Sequence, residues 1–385
     1  MDFSALFERY KCPELFGRYI PPEIIEPLLE KFSGSFEAAI IGKSVQARPI
    51  HCIKAGQGEI KVLMWSQMHG NESTTTKAVF DLLSWLAGND HNAQRILSEL
   101  TLHIIPMLNP DGARAYTREN AAGIDLNRDF CDRSQPETRT LLEVYERVGP
   151  DFCFNLHDQR TIYGAGFTGK PATVSFLSPS YNEARDFNAA RTRSVGVVVA
   201  MDKVLQQFIP GQIGRFDDSF NPNCAGDTFQ SRNTPTILFE AGHFQHDYPR
   251  EVTRKLIFAS LLSGLGAVYE NDLAVNRIED YLNIPQNTVS FFDIVYKNVR
   301  INYVEKEKLT NFGVQFREKL VDGNVAFIGE IAETGFSDAV FGHATIDAKG
   351  AAFRDEKGGF PRVGMAADFY LGTDRYINGE SPSNQ

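Results

Sequence analysis

The sequence is short of several features that would mark a specialised class. It has five cysteines, at positions 12, 52, 131, 153 and 224, and no Cys-x-x-Cys pair. An odd, scattered set argues against a disulfide framework and suits a reducing compartment. Cys153, inside the apolar run FCFNL, reads as a small buried hydrophobe. Positive charge is in the minority: 39 Lys and Arg stand against 49 Asp and Glu, for a net charge of −10. That balance argues against a nucleic-acid footprint or an anionic membrane surface as partner. It leaves room for an acidic substrate in a local basic pocket. No run of about eighteen apolar residues occurs, so no membrane-spanning helix is expected. The opening MDFSALFERYKCPELF carries Asp2 where a secretion signal would be basic. A cytoplasmic protein is the expectation. Internal repeats and low-complexity tracts are also missing, and nothing gives an oligomeric state.

What is present is the composition of an ordinary globular chain, 42% apolar and 23% charged over 385 residues, long enough for two domains. Four apolar runs read as buried strands: KVLMW at 61–65, TLHIIPML at 101–108, FCFNL at 152–156 and TILF at 236–239. Helical periodicity separates them, in STTTKAVFDLLSWLAG at 73–88, PETRTLLEVYERV at 136–148, residues 183–208, and a segment opening at Pro249. This alternation predicts an α/β domain with a mixed, mostly parallel sheet flanked by helices. The style changes near residue 285. Short alternating stretches such as NVRINYVE and AVFGHATIDA follow, divided by Gly, Asp and Asn. Residues 1–285 are therefore expected to form the larger α/β domain and 286–385 a smaller β-rich domain, with the tail NGESPSNQ disordered.

In open α/β sheets, chemistry gathers at the carboxyl ends of the strands. Just past the first run, MWSQMHGNES places His69 three residues before Glu72. Imidazole and carboxylate are both zinc ligands, and a strand-to-helix turn can aim them at one point. The pattern alone is common, and Glu72 could simply favour a helix N-terminus. His157 follows another buried strand. Two histidines and a glutamate would leave a fourth position open for water, as in catalytic zinc sites. The stretch NPDGARAYTRENAAGIDLNRDF, 109–130, opens on a turn signal and holds Arg114, Arg118, Asn127 and Arg128. Guanidinium groups match carboxylates and oxyanions, although such a loop can equally be solvated. Glu240 ends the run TILFE. A carboxylate leaving a core strand is unusual, and beside a metal it would act as general base and acid; its alternative is an ion pair with one of the arginines.

Taken in order, GKSVQARPIHCIKAG, HGNE, NPDG, TRENAAGIDLNRDF, NLHD and FEAG resemble the zinc carboxypeptidase family of carboxypeptidases A and B. The likeness is strongest to its short bacterial members such as murein peptide amidase, and covers roughly residues 35–265. The resemblance implies one Zn2+ per chain held by His69, Glu72 and His157. It implies Asp125 as the carboxylate that orients His69 and Asn127 with Arg128 as the clamp on a substrate carboxylate. Arg118 becomes the oxyanion stabiliser and Glu240 the general base. One position departs. Where many members carry a loop tyrosine about twenty residues before the catalytic glutamate, this chain reads GQIGRFDDSFNPNCAGDTFQSRN, without one; Tyr163 and Tyr248 are the candidates to replace it. The succinylglutamate desuccinylase and aspartoacylase group is a more distant likeness, with its own smaller C-terminal β domain. The expected activity is thus a metallocarboxypeptidase acting on small peptides. The alternatives are a zinc acylase acting on N-acyl amino acids, and a degenerate member that only binds peptide termini.

Overall fold

The computed structural model describes residues 2–270, 277–303, 306–336 and 340–381. The chain divides into two compact units: residues 1–159 with 172–287, and residues 160–171 with 288–385. The single boundary expected at 285/286 therefore differs, because residues 160–171 group with the second unit.

The first unit is built on an eight-stranded sheet. From edge to edge its strands are Glu37–Lys43, Pro49–Ala55, Leu100–Ile105, Ile60–Ser66, Phe152–Asp158, Thr236–Ala241, Val174–Leu177 and Ile213–Arg215. The three central pairings, from Leu100–Ile105 across to Thr236–Ala241, are parallel, and the flanking ones include antiparallel pairs. Central strands are buried on both faces and so read as continuous apolar runs; all seven residues of Phe152–Asp158 are buried. The helices Thr74–Leu86, Ala189–Leu205 and Glu251–Glu270 contribute to one large apolar cluster with the sheet. Pro136–Val148 contributes to a second cluster around Trp65, Phe130 and Phe229. Glu251–Glu270 is apolar and long enough to cross a membrane by composition alone, yet most of it is packed inside this unit.

Local chemistry explains where the elements depart from sequence periodicity. The helix expected over 183–208 begins only at Ala189, where the Asn188 side chain accepts from Arg191 N. Upstream, the carbonyls of Arg185 and Asp186 are taken by the buried Arg191 guanidinium. Pro249 lies in a turn rather than in the first helical turn. The helix starts at Glu251, its first amides capped by Asp247. NPDG is not merely a turn either: Asn109 caps a short helix, Pro110–Ala115, with proline at its first position.

The second unit contains a four-stranded sheet with the long strands Phe291–Tyr303, Lys306–Val321 and Asn324–Phe336 plus Phe341–Asp347, and a three-stranded sheet. Its core is aromatic: Tyr296 stacks on Phe312 at 4.6 Å, and Phe369 stacks on Phe353 and Tyr376 at 5.2 Å each. Residues 378–380 of the supposedly disordered tail form a turn closed by an Ile377–Glu380 bridge; 382–385 lie outside the described residues.

Candidate metal centre

The site sits where three of the four mutually parallel central strands end, Ile60–Ser66, Phe152–Asp158 and Thr236–Ala241. Ile60–Ser66 runs into an irregular turn, 67–73, before the helix Thr74–Leu86 begins. His69 and Glu72 stand in that turn. Gly70 is required there, since a Cβ on it would lie 1.8 Å from the Gly112 carbonyl carbon. His157 was expected just after its strand and Glu240 at the end of its own; both lie inside their strands and face one another across the ladder, His157 paired with Glu240. Asp158, next to His157, caps the helix after the turn by accepting from Thr74 N and Thr75 N at 3.0 and 3.3 Å.

Three side chains converge. His69 Nδ1 lies 2.7 Å from Glu72 Oε1, His157 Nδ1 lies 2.8 Å from Glu72 Oε2, and the two Nδ1 atoms are 3.1 Å apart. All three residues are buried, and the candidate ligand atoms lie within 4.8 Å of one another. Two imidazole lone pairs and a carboxylate aimed at one point make an arrangement that a cation resolves. Tetrahedral zinc with bonds near 2.0–2.1 Å would place such atoms about 3.3 Å apart, a small expansion of this set. The residues fit the metal.

His69 and Glu72 have side-chain supports, whereas His157 Nε2 is buried and makes no hydrogen bond among the described residues. Asp125 Oδ1 faces His69 Nε2 at 3.0 Å, the arrangement that fixes the tautomer of a metal-binding histidine. Asp125 Oδ2 accepts from Arg118 Nε at 3.0 Å, and Arg118 Nη1 reaches Glu72 Oε1 at 3.2 Å. Asp125 also caps the short turn Leu126–Arg128 through Asn127 N. Asn127 Oδ1 accepts from Ala225 N, and Arg128, exposed, donates to Asn127 O and to Cys224 Sγ. Arg114 is elsewhere, ion-paired with Glu23 on the surface.

The electrostatics follow from burial and crowding. Burial alone would raise the Glu72 carboxyl, but the two imidazoles outweigh it and hold it well below the usual range. Burial pulls His69 down, and the Glu72 and Asp125 carboxylates overcome this and raise it. His157 is lowered by burial, which Glu72 only partly opposes. Burial, with the Glu72 and Asp158 carboxylates, pushes Glu240 well above the ordinary value. Its Oε2 is shielded from solvent and makes no hydrogen bond.

Sequence patterns did not reveal Gln67, Asp158 or Arg250. Arg250 is buried with φ +58°, and its guanidinium donates to Ala241 O and Gln159 O at 2.6 and 2.5 Å, just after Glu240 and His157. Only the placement of Asp158 directly after His157 offered a hint. Tyr248 packs against the buried His243 at 4.7 Å, and Tyr163 belongs to the second unit.

Residues 23–162 match the sequence model described as zinc carboxypeptidase. Over this stretch, about a third of the chain, the sequence is similar to that family. The candidate ligands all fall within it, and one zinc is the metal that the family's description names. An uncharacterized protein of Zymomonas mobilis is 28% identical over 140 residues, covering 34% of this chain and 37% of that protein. Carboxypeptidase SOL1 of Arabidopsis thaliana is 36% identical over 121 residues, 26% of this chain and 25% of its own length. The chain thus spans well under half of these curated relatives. Among solved structures, a metallo-carboxypeptidase from Burkholderia cenocepacia superimposes with a TM-score of 0.53 at 20% identity, over 66% of this chain and 70% of that one. The likeness establishes a carboxypeptidase fold.

Proposed function

We propose that the protein is a zinc-dependent metallocarboxypeptidase that hydrolyses the C-terminal amide bond of small peptides. The observation that carries this reading is the joint one: a buried His69–Glu72–His157 set, with the half-buried carboxylate of Glu240, one oxygen of it shielded from solvent, one strand away from His157. Zinc, when bound, supplies Lewis-acid polarisation of the scissile carbonyl and acidifies a water. Glu240 accepts the proton of the attacking water and passes it to the departing amine nitrogen. A carboxyl poised above its usual range is suited to that return step. Arg118, held to Asp125 through Nε and Nη2, turns Nη1 toward the ligand set and meets the charge that develops on the carbonyl oxygen. Asp125 keeps His69 in one tautomer and one orientation. Arg128 and Asn127 hold the substrate's terminal carboxylate, with Asn127 fixed to the Ala225 amide.

The test is a peptide panel with the zinc-loaded protein, products read by mass spectrometry. Release of the C-terminal residue from free-acid peptides, and not from their C-terminal amides, supports the reading. Arg128→Ala should raise KM for free acids by about tenfold or more; equal loss on amidated peptides would remove Arg128 from that role. The second, β-rich unit favours one further reading, a zinc acylase for N-acyl amino acids. Turnover of those compounds with none of tripeptides would select it.

A further inference from the structure

The metal-ligand turn is fastened from both sides by a part of the chain that the family match, which begins at residue 23, does not include. We propose that residues 11–20 form a strap that positions this turn for zinc, with Gln67 as the positioning residue that joins the two. The proposal rests on the zinc reading above.

The strap follows the helix Phe3–Tyr10 and has no regular structure, yet Cys12, Leu15, Arg18 and Ile20 are buried. Buried backbone outside helices and sheets needs side-chain partners. Here they come in two groups. In the first half, Cys12 N donates to Asp81, and the carbonyls of Cys12 and Leu15 accept from Arg254. Asp81 and Arg254 are themselves joined bidentately, with no exposure on either side chain. In the second half the partners flank the ligands. Arg18 O accepts from Ser73 Oγ at 2.6 Å, directly after Glu72. Ile20 O accepts from Gln67 Nε2 at 3.2 Å, two residues before His69.

Gln67 connects these contacts to the turn itself. Its Nε2 also donates to Gly70 O at 2.8 Å, and its Oε1 accepts from Thr76 Oγ1 at 3.0 Å on the following helix. Its main-chain carbonyl accepts from Asn109 N. The residue is 1% exposed and stands at φ +49°, a left-handed conformation that non-glycine residues seldom adopt. Such a conformation persists where the surroundings over-determine it. One amide therefore spans strap, turn and helix, and fixes the backbone from which His69 and Glu72 project. Groups that orient ligands without binding the metal still tune its affinity.

The test compares zinc dissociation constants, by competition with a chromogenic chelator, for the full chain and for Gln67→Glu, Gln67→Gly and Ser73→Ala. Gln67→Glu sets a carboxylate against the two carbonyls; Gln67→Gly relieves the backbone and removes the amide. Both are expected to weaken zinc by about 10- to 100-fold, and Ser73→Ala by a smaller factor. Leu265→Ala, in the core helix Glu251–Glu270, is the control for lost stability alone and should leave zinc affinity unchanged. Wild-type affinity in Gln67→Gly and Ser73→Ala, or an equal loss in Leu265→Ala, overturns the strap. Should Gln67→Glu fail to fold, the other two variants decide. A parent chain that takes up no zinc overturns the zinc reading and the strap together, whereas zinc held by the Gln67 and Ser73 variants with the parent's dissociation constant overturns the strap alone.

Discussion

Replacing Asp125 by alanine tests the support of the site in a single step. Its carboxylate has three duties: Oδ1 faces His69 Nε2 and accepts from Asn127 N, while Oδ2 accepts from Arg118. Losing the first frees the tautomer and tilt of His69. A comparable loss in metal sites costs about 10- to 100-fold in affinity, or about 1.4–2.7 kcal/mol. Losing the third frees Arg118, whose side chain is already 41% exposed. Displacing an oxyanion donor costs up to about 100- to 1000-fold in kcat. Asp125→Ala should therefore need far more free zinc to saturate. Once saturated, it should still run below the parent by at least about tenfold in kcat/KM. Asp125→Asn separates the two duties. Its carbonyl oxygen can still face His69, but its NH2 would then point at the Arg118 donors, so zinc affinity should be largely kept and activity lost. The measurements are a chelator competition and a zinc-saturated rate. A zinc dissociation constant for Asp125→Ala within about twofold of the parent would refute the reasoning, because His69 would then hold its geometry unaided.

Other expectations follow from the same contacts. Glu240→Gln should keep its zinc and lose at least about 100-fold in kcat; a kcat near the parent's would place the base elsewhere. Asp81→Ala strands the buried Arg254 and the Cys12 amide, and should cost about 3 kcal/mol, a fall in Tm of about 6–12 °C. Asp81→Leu with Arg254→Met should recover most of it, and failure to do so would mean that the pair supplies more than its own neutralisation. Burial lowers the Lys77 ammonium to about 8 despite the adjacent Glu251. Its native value then lies below its unfolded one, so the unfolded chain binds more protons between the two. Stability contributed by this group should rise with pH from about 8 toward 10.5, and Lys77→Met should flatten that rise in denaturant titrations. An unchanged slope would contradict the burial argument.

The metal set was legible because each ligand follows an apolar run whose buried, parallel character the sequence displays. His69 and Glu72 alone said little; their meaning came from His157, 85 residues or more away, meeting the same point. Gln67 and Arg250 were not legible for a related reason. Their partners are main-chain carbonyls, Ile20 O for one and Gln159 O for the other, and any residue type supplies a carbonyl. Nothing at position 20 or 159 marks it as a partner. The helix over 183–208 was drawn too long because residues 183–188 have helical composition, whereas their carbonyls are claimed by the Arg191 guanidinium. The short helices lack a long periodic face: His91–Glu99 is capped by Asp90, and the first amide of Ala225–Ser231 is held by Asn127 from another part of the chain.

The pairing of His157 with Glu240 across two hydrogen-bonded parallel strands has a consequence for how such an enzyme could diversify. Strand spacing is fixed at about 4.8 Å by the main chain, so the interval between a metal ligand and the base is a property of the ladder. Neither residue depends on a loop for it. Segments that contour the substrate pocket are then free to be lengthened, shortened or exchanged without retuning the proton relay. Under the proposed function, a designer wishing to change selectivity should leave the residues around His157 and Glu240 intact and randomise the irregular segment 216–223. Selectivity and chemistry would then be adjustable by separate sets of substitutions.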